Sequence, residues 1–225
     1  MNACADADTE TLRISIDTKA TVHVGEYSRG GQSRGITAVE AWDHDMRPKE
    51  KLVPGGILEP VSGRSFLFFG SSYKTSDFLV DGLLLWWEER KQELSHLKQL
   101  VINMDNGPEC NGHRSQFLCR MAEFADTTGL VIRLIYYPPY HSKYNSIERY
   151  WAGLEKSWNG YLLDSRDNGI ESCRQLCLER NVDDRKVVGN RVRKGCKTQR
   201  QGERCFGRKT DTFPRASMVG YNYLP

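Results

Sequence analysis

Three acidic residues stand at three kinds of structural boundary in this chain. Asp17 lies in Leu12-Arg13-Ile14-Ser15-Ile16-Asp17-Thr18, whose alternation predicts a strand. Asp105 follows the apolar run Leu100–Met104 and precedes Asn106-Gly107-Pro108, a turn. Glu148 lies in Asn145-Ser146-Ile147-Glu148-Arg149-Tyr150-Trp151, at the start of an amphipathic helix. Carboxylates at a strand, a strand end and a helix start can converge on one point and hold divalent metal. Such a trio with two Mg²⁺ ions is machinery for cutting and joining phosphodiesters. Each acid also has a plain structural explanation. Asp17 can face solvent from its strand, Asp105 can serve its turn, and Asn145-x-x-Glu148 has capping-box spacing. Asn106 and Asn145, beside two of the acids, are candidates to orient ligands or phosphate.

The elements that must position these residues follow from the hydrophobic pattern. A first strand is expected over Leu12–Val24, with Leu12, Ile14 and Ile16 on one face and Asp17 on the other. The Gly/Ser/Arg loop 25–35 reads as a hairpin connection, with Gly30-Gly31 a weaker phosphate-cradle candidate. A second strand is expected over Thr37–Trp42, ending at Asp43-His44-Asp45, a solvated turn before a ligand set. Pro54-Gly55-Gly56 and Ser62-Gly63-Arg64 read as turns, the latter leading into a strand at Ser65–Gly70. Ser76 reads as the N-cap of a helix to about Leu97, with Trp86 and Trp87 in its core stripe. Then come a buried strand at Leu100–Met104, a helix from about His113 to Thr128 ended by Gly129, and a strand at Leu130–Tyr136. A last helix carries Ile147, Trp151, Leu154 and Trp158 on one face. Three strands, then strands alternating with helices, predict an α/β fold: a mixed five-stranded sheet flanked by helices.

Composition narrows the class. The chain has 225 residues, 39% hydrophobic and 27% charged, room for one good core plus a small appendage. Its longest apolar stretch, Phe78–Trp87, is too short to span a bilayer, and the acidic N-terminus lacks a signal peptide's order. A cytoplasmic protein without membrane contact is therefore expected. Seven cysteines without C-x-x-C spacing read as reduced thiols rather than a disulfide or zinc framework. The net charge of +3 conceals an asymmetry. Residues 1–165 hold 18 Lys and Arg against 22 Asp and Glu, and residues 166–225 hold 14 against 7. In that basic segment Leu, Ile, Val and Phe total 11 of 60 residues, a composition that predicts poor order.

Three strings carry a family resemblance: Ile16-Asp17-Thr18-Lys19-Ala20, Asn103-Met104-Asp105-Asn106-Gly107-Pro108-Glu109, and the run from Tyr136 through His141 and Lys143 to Trp151. With Tyr73–Phe78 and Leu85–Arg90, they resemble bacterial insertion-sequence transposases of the ISAzo type, relatives of the Tc/mariner group. The resemblance runs from about Leu12 to Leu163. It implies a ribonuclease-H-like catalytic domain over residues 12–163 with an Asp, Asp, Glu triad, matched here by Asp17, Asp105 and Glu148. It further implies two Mg²⁺ ions, or Mn²⁺, about 4 Å apart. One would activate water or a DNA 3′-hydroxyl, and the other would stabilise the leaving oxygen. The partners implied are DNA, as transposon ends and target, and a homo-oligomer. His141 and Lys143 become candidate DNA-backbone contacts; a structural or solvated role fits them equally well.

The chain departs from the family pattern in three places. Ser146 stands where proline usually precedes the Ile-Glu pair, a small loss at a helix start. Residues 1–11 read as an N-terminal remnant, and 16 residues before Asp17 leave no room for a helix-turn-helix reader of element ends. The expectation is a catalytic core unable to transpose alone. Residues 164–225 match no family string. A frameshift near codon 164 is one explanation, and a real basic DNA-binding tail is the other. A stand-alone ribonuclease-H-like nuclease and a non-catalytic DNA-binding remnant are the alternative functions.

Overall fold

The computed structural model describes residues 2–27, 41, 50–137, 145–160, 162–165, 167–170, 187–189 and 222–223. In chain order the elements are α1 (Asn2–Ala7), β1 (Thr11–Thr18), β2 (Val22–Val24), β3 (Glu50–Leu58), β4 (Ser65–Gly70) and α2 (Ser76–Arg90). They continue with β5 (Gln99–Met104), α3 (Ser115–Thr128), β6 (Val131–Tyr136), α4 (Ser146–Trp158), β7 (Val187–Gly189) and β8 (Asn222–Tyr223). The central strands lie in the order β4–β3–β1–β5–β6. β1 runs antiparallel to β3 and parallel to β5, β4 is antiparallel to β3, and β6 is parallel to β5. β2 pairs with β3, while β7 and β8 add to the outer sides of β4 and β6. Most of the basic segment 166–225, the loop with Gly30-Gly31, the expected strand Thr37–Trp42 and the Asp43-His44-Asp45 turn lie outside the described residues.

Alternation in β1 decides which helix each side chain meets. Ile14 and Ile16 enter the larger core, with Phe78, Leu83 and Trp86 of α2 and Phe117, Met121 and Phe124 of α3. Ser15 and Asp17 point the other way, toward α4. That side holds the second core, where Ile147, Tyr150, Trp151, Leu154 and Trp158 pack against Val22, Leu52, Leu67 and Phe69. The apolar stripe of α4 is thus the cover of one sheet face, and α2 with α3 cover the other. Burial of β5 along nearly its whole length follows from this double cover.

The structure corrects several boundaries. The first strand is broken after Thr18 and resumes only at Val22. Pro54-Gly55-Gly56 is not a turn but the middle of β3. The edge of β3 that pairs with β1 ends at Gly55, and pairing with β2 begins at Leu52. Pro54 therefore sits where β3 changes neighbours, and its carbonyl accepts from Lys19 N at 2.9 Å. The two glycines make room for aromatic rings: a Cβ on Gly55 would lie 2.3 Å from the Phe68 ring, and one on Gly56 would lie 2.8 Å from Trp151. Thr75, not Ser76, caps α2, its hydroxyl accepting from Phe78 N at 3.1 Å. α2 stops at Arg90 rather than Leu97, and the turns after it return Leu94 to the core. An Asx turn, His113 N to Asn111 Oδ1 at 2.8 Å, delays α3 to Ser115. Gly129 ends α3 at φ +72°, the left-handed C-terminal position expected of it.

The Phe68 ring is gripped from both sides, since a Cβ on Gly82 of α2 would also approach it to 2.3 Å. Gly82→Ala should therefore reverse its usual sign. Alanine ordinarily favours a helix interior by about 1 kcal/mol. Here overpacking against Phe68 should leave a net loss of about 1–3 kcal/mol, read by urea unfolding. A gain in stability would show that α2 does not press on the ring.

Candidate active site

The parallel register of β1 and β5 sets Ser15 level with Asn103. Two residues further along, Asp17 near the end of β1 and Asp105 just past β5 emerge at the same end of the sheet. Glu148 arrives from the opposite layer, in the first turn of α4. The three carboxylates feel one another. Burial, then the charges of Asp105 and Glu148, push the Asp17 carboxyl up to about 7. Desolvation and the neighbouring Glu109 raise Asp105, while desolvation and Asp105 raise Glu148. Two lysines oppose this: Lys74 acts on Asp105 and Glu148, and Lys19 on Glu148.

Neutral hydrogen bonds hold the acids in place. Trp151 Nε1, one helical turn beyond Glu148, donates to Asp17 Oδ2 at 2.9 Å. Ser15 Oγ donates to Asn145 Oδ1 and accepts from Ile147 N at 3.2 Å. The cap of α4 is thus supplied by β1. Asn145 occupies the N-cap position without a side-chain capping bond, so the capping-box reading of Asn145-x-x-Glu148 fails. Only its backbone carbonyl meets Glu148 N, at 3.0 Å. Ser15, Asn145 and Asn103 are fully buried, and Asn103 Nδ2 donates to the Tyr137 hydroxyl at 2.8 Å.

The segment after Asp105 is pinned as firmly. The Cys110 thiol donates to Asp105 O at 3.1 Å, and the Tyr136 hydroxyl to Cys110 O at 2.9 Å. Thr18 Oγ1 donates to Glu109 Oε1 at 2.9 Å, and Ser76 Oγ to Glu109 O at 2.6 Å. Burial and the nearby carboxylates drive the Cys110 thiol far above its ordinary range, so it remains a protonated donor. Asn106 is exposed beside Asp105 and takes no part in these contacts. His141 and Lys143 lie outside the described residues.

Sequence reasoning missed Ser15, Trp151, Lys74 and Glu109 as members of this site. Ser15 shares the face of Asp17 in a strand whose other face carries Leu12, Ile14 and Ile16, which was a usable signal. Trp151 lies three residues after Glu148 on one helix face, but its place in the apolar stripe concealed the role of its N–H.

Among the described residues, no group of three or more His, Cys, Asp or Glu side chains is gathered closely enough to hold a metal ion as it stands. The donor set nevertheless suits one. It is made of hard carboxylate oxygens whose mutual repulsion a bound cation would relieve.

The strand order, mixed pairing and two-sided helical cover define a ribonuclease-H-like α/β fold of the transposase kind. The chain belongs to the DDE transposases: the family described as the Rhodopirellula transposase DDE domain matches residues 2–200, past Leu163 into the basic segment. Among solved structures, it resembles the Mos1 transposase paired-end complex with left transposon end at TM-score 0.52 and 9% identity, over 81% of this chain and 51% of that one. The Mos1 mariner paired-end complex with Mn gives TM-score 0.47 and 10% identity, over 78% and 57%. The chain thus spans about half the length of the Mos1 chains it resembles. No curated protein matches the sequence. Among the described residues, no helix is long and apolar enough to cross a membrane.

Two predictions follow from this geometry. Ser15→Ala strands the Ile147 N–H and the Asn145 side-chain oxygen Oδ1 in a buried site, and should cost about 1–3 kcal/mol in urea unfolding. Faster amide exchange at Ile147 should accompany it; unchanged stability and exchange would show that Ser15 is not the cap. The second concerns pH. A folded Asp17 that keeps its proton to about pH 7 takes one up on folding from an unfolded carboxylate of ordinary pKa. Its contribution is complete below the ordinary Asp range and is lost as pH rises toward 7. Asp17→Asn, which mimics the protonated acid, should unfold near the wild-type temperature at pH 4 and several degrees above it at pH 8. A gap independent of pH would refute the raised pKa.

Proposed function

We propose that this chain is the catalytic domain of an insertion-sequence transposase, with residues 12–163 as its core. In this reading Asp17, Asp105 and Glu148 hold divalent metal, Mg²⁺ or Mn²⁺, for cleavage and strand transfer on DNA. The observation that carries it is the delivery of three mutually repelling carboxylates to one end of the sheet by β1, β5 and α4. Metal bound there would lower the pKa of an attacking water or DNA 3′-hydroxyl and take up charge on the leaving oxygen. The protein's own groups do the rest. Trp151 occupies Asp17 Oδ2 and so fixes which way that carboxylate faces. Ser15 sets the start of α4 against β1, and with it the approach of Glu148. Cys110 and Ser76 hold the Asp105–Glu109 segment. The match to a DDE transposase family over residues 2–200 supports this function, and the Mos1 paired-end complex with a transposon end supports DNA as the partner.

The test pairs metal binding with chemistry. Wild-type protein should bind Mn²⁺, followed by loss of the free-ion electron paramagnetic resonance signal, and should nick duplex DNA in its presence. Asp105→Asn should lower nicking at least about a hundredfold and weaken Mn²⁺ binding while leaving the circular dichroism spectrum unchanged. A variant that binds Mn²⁺ and nicks like the wild type would overturn the assignment.

A further inference from the structure

One cation at this site is not engaged by the carboxylates around it. Lys74, half-buried in the segment between β4 and α2, donates from Nζ to Thr18 O at 3.0 Å, the carbonyl next along from Asp17. Its charge reaches Asp105 and Glu148, yet among the described residues it forms no ion pair. Lys19 differs, being committed to Glu155 at 2.6 Å. An ammonium has three donors, and Lys74 spends one.

Its position is built rather than incidental. The next residue, Thr75, caps α2, and Ser76 ties the same segment to the carbonyl of Glu109, four residues after Asp105. Lys74 is therefore referenced to both strand-end acids. Positive charge continues outward from it: Tyr73 is 51% exposed, and Lys51 Nζ lies 5.9 Å from its ring centroid. A lysine needed only to neutralise the acids would be expected to bond one of them. Lys74 is instead held by a backbone carbonyl, with donors left for an anion brought to the acids.

We propose that Lys74 grips a non-bridging oxygen of the DNA phosphate presented to Asp17, Asp105 and Glu148, and that the strand leaves the site past Tyr73 and Lys51. This rests on the DNA-processing reading above and adds a phosphate-binding residue to it. A lysine suits the task as a point charge at a phosphate, and a base-sized aromatic beside it suits the adjoining nucleotide.

The full chain and its Lys74→Ala and Lys74→Arg variants would be compared by anisotropy of a labelled DNA duplex across a salt series in Ca²⁺, and by Mn²⁺ titration without DNA. Lys74→Ala should weaken DNA binding about tenfold and reduce the salt slope by about 0.9, the share of one phosphate contact. Mn²⁺ binding should be unchanged or tighter, since a repelling charge has gone. Lys74→Arg should recover most of the DNA affinity. Wild-type DNA affinity and slope in Lys74→Ala would overturn the proposal. So would weakened Mn²⁺ binding with DNA affinity unchanged, which marks a merely structural lysine. Asp105→Asn in the same Mn²⁺ titration separates the two levels. If it binds Mn²⁺ normally, the metal-site reading falls; if only Lys74→Ala misbehaves, the phosphate role alone falls.

Discussion

Three carboxylates do not gather unaided, because each raises the cost of ionising the next. What sustains the arrangement here is a fastening between β1 and α4, made of Ser15 at the helix start and the Trp151 indole on Asp17. Both bonds come from groups without charge, so they position the acids without cancelling the negative field. A lysine salt-bridged to Asp17 would hold it as well but would compete with any cation the site receives. The fold accepts a carboxyl held near neutrality as the consequence.

The same logic explains why the sheet is dressed differently on its two faces. The α2 and α3 face is an apolar seal around Phe68, Phe78, Trp86 and Phe117. The α4 face buries polar groups as well: Ser15, Asn103 and Asn145 lie beneath the acids, Ser15 bonded to Asn145 and Asn103 to the Tyr137 hydroxyl. Buried polar groups of this kind specify a single docking of α4 where an apolar contact would tolerate sliding.

Much of this was legible from residue order. The alternation of β1, the unbroken apolar run of β5 and the stripes of α3 and α4 report burial directly, and burial is what a local pattern records. Gly129 announced the end of α3 because few residues accept its backbone angle. The misreadings share a cause. Pro54-Gly55-Gly56 carries turn chemistry, but its glycines answer to Phe68 and Trp151, which are distant in sequence. Asn145 has the spacing of a cap, yet Ser15 supplies one from another element. In the site, the acids stood out by their boundaries and Ser15 by sharing the face of Asp17, whereas the partners that Ser15 and Trp151 meet are set only by tertiary contact. No single-chain pattern encodes that.

The separation of those partners has a consequence for how the molecule comes into being. Ser15 and Asn145 lie 130 residues apart, and Asp17 and Trp151 lie 134 apart. Contacts of such range close late, after local helices and hairpins have formed. During synthesis β1 emerges early, and the sheet can begin to assemble around it. Glu148 can join only once the segment ending at Trp158 has left the ribosome and α4 has docked. An incomplete chain therefore carries two of the acids but not the third, and the assembled trio appears only when nearly the whole core has been made.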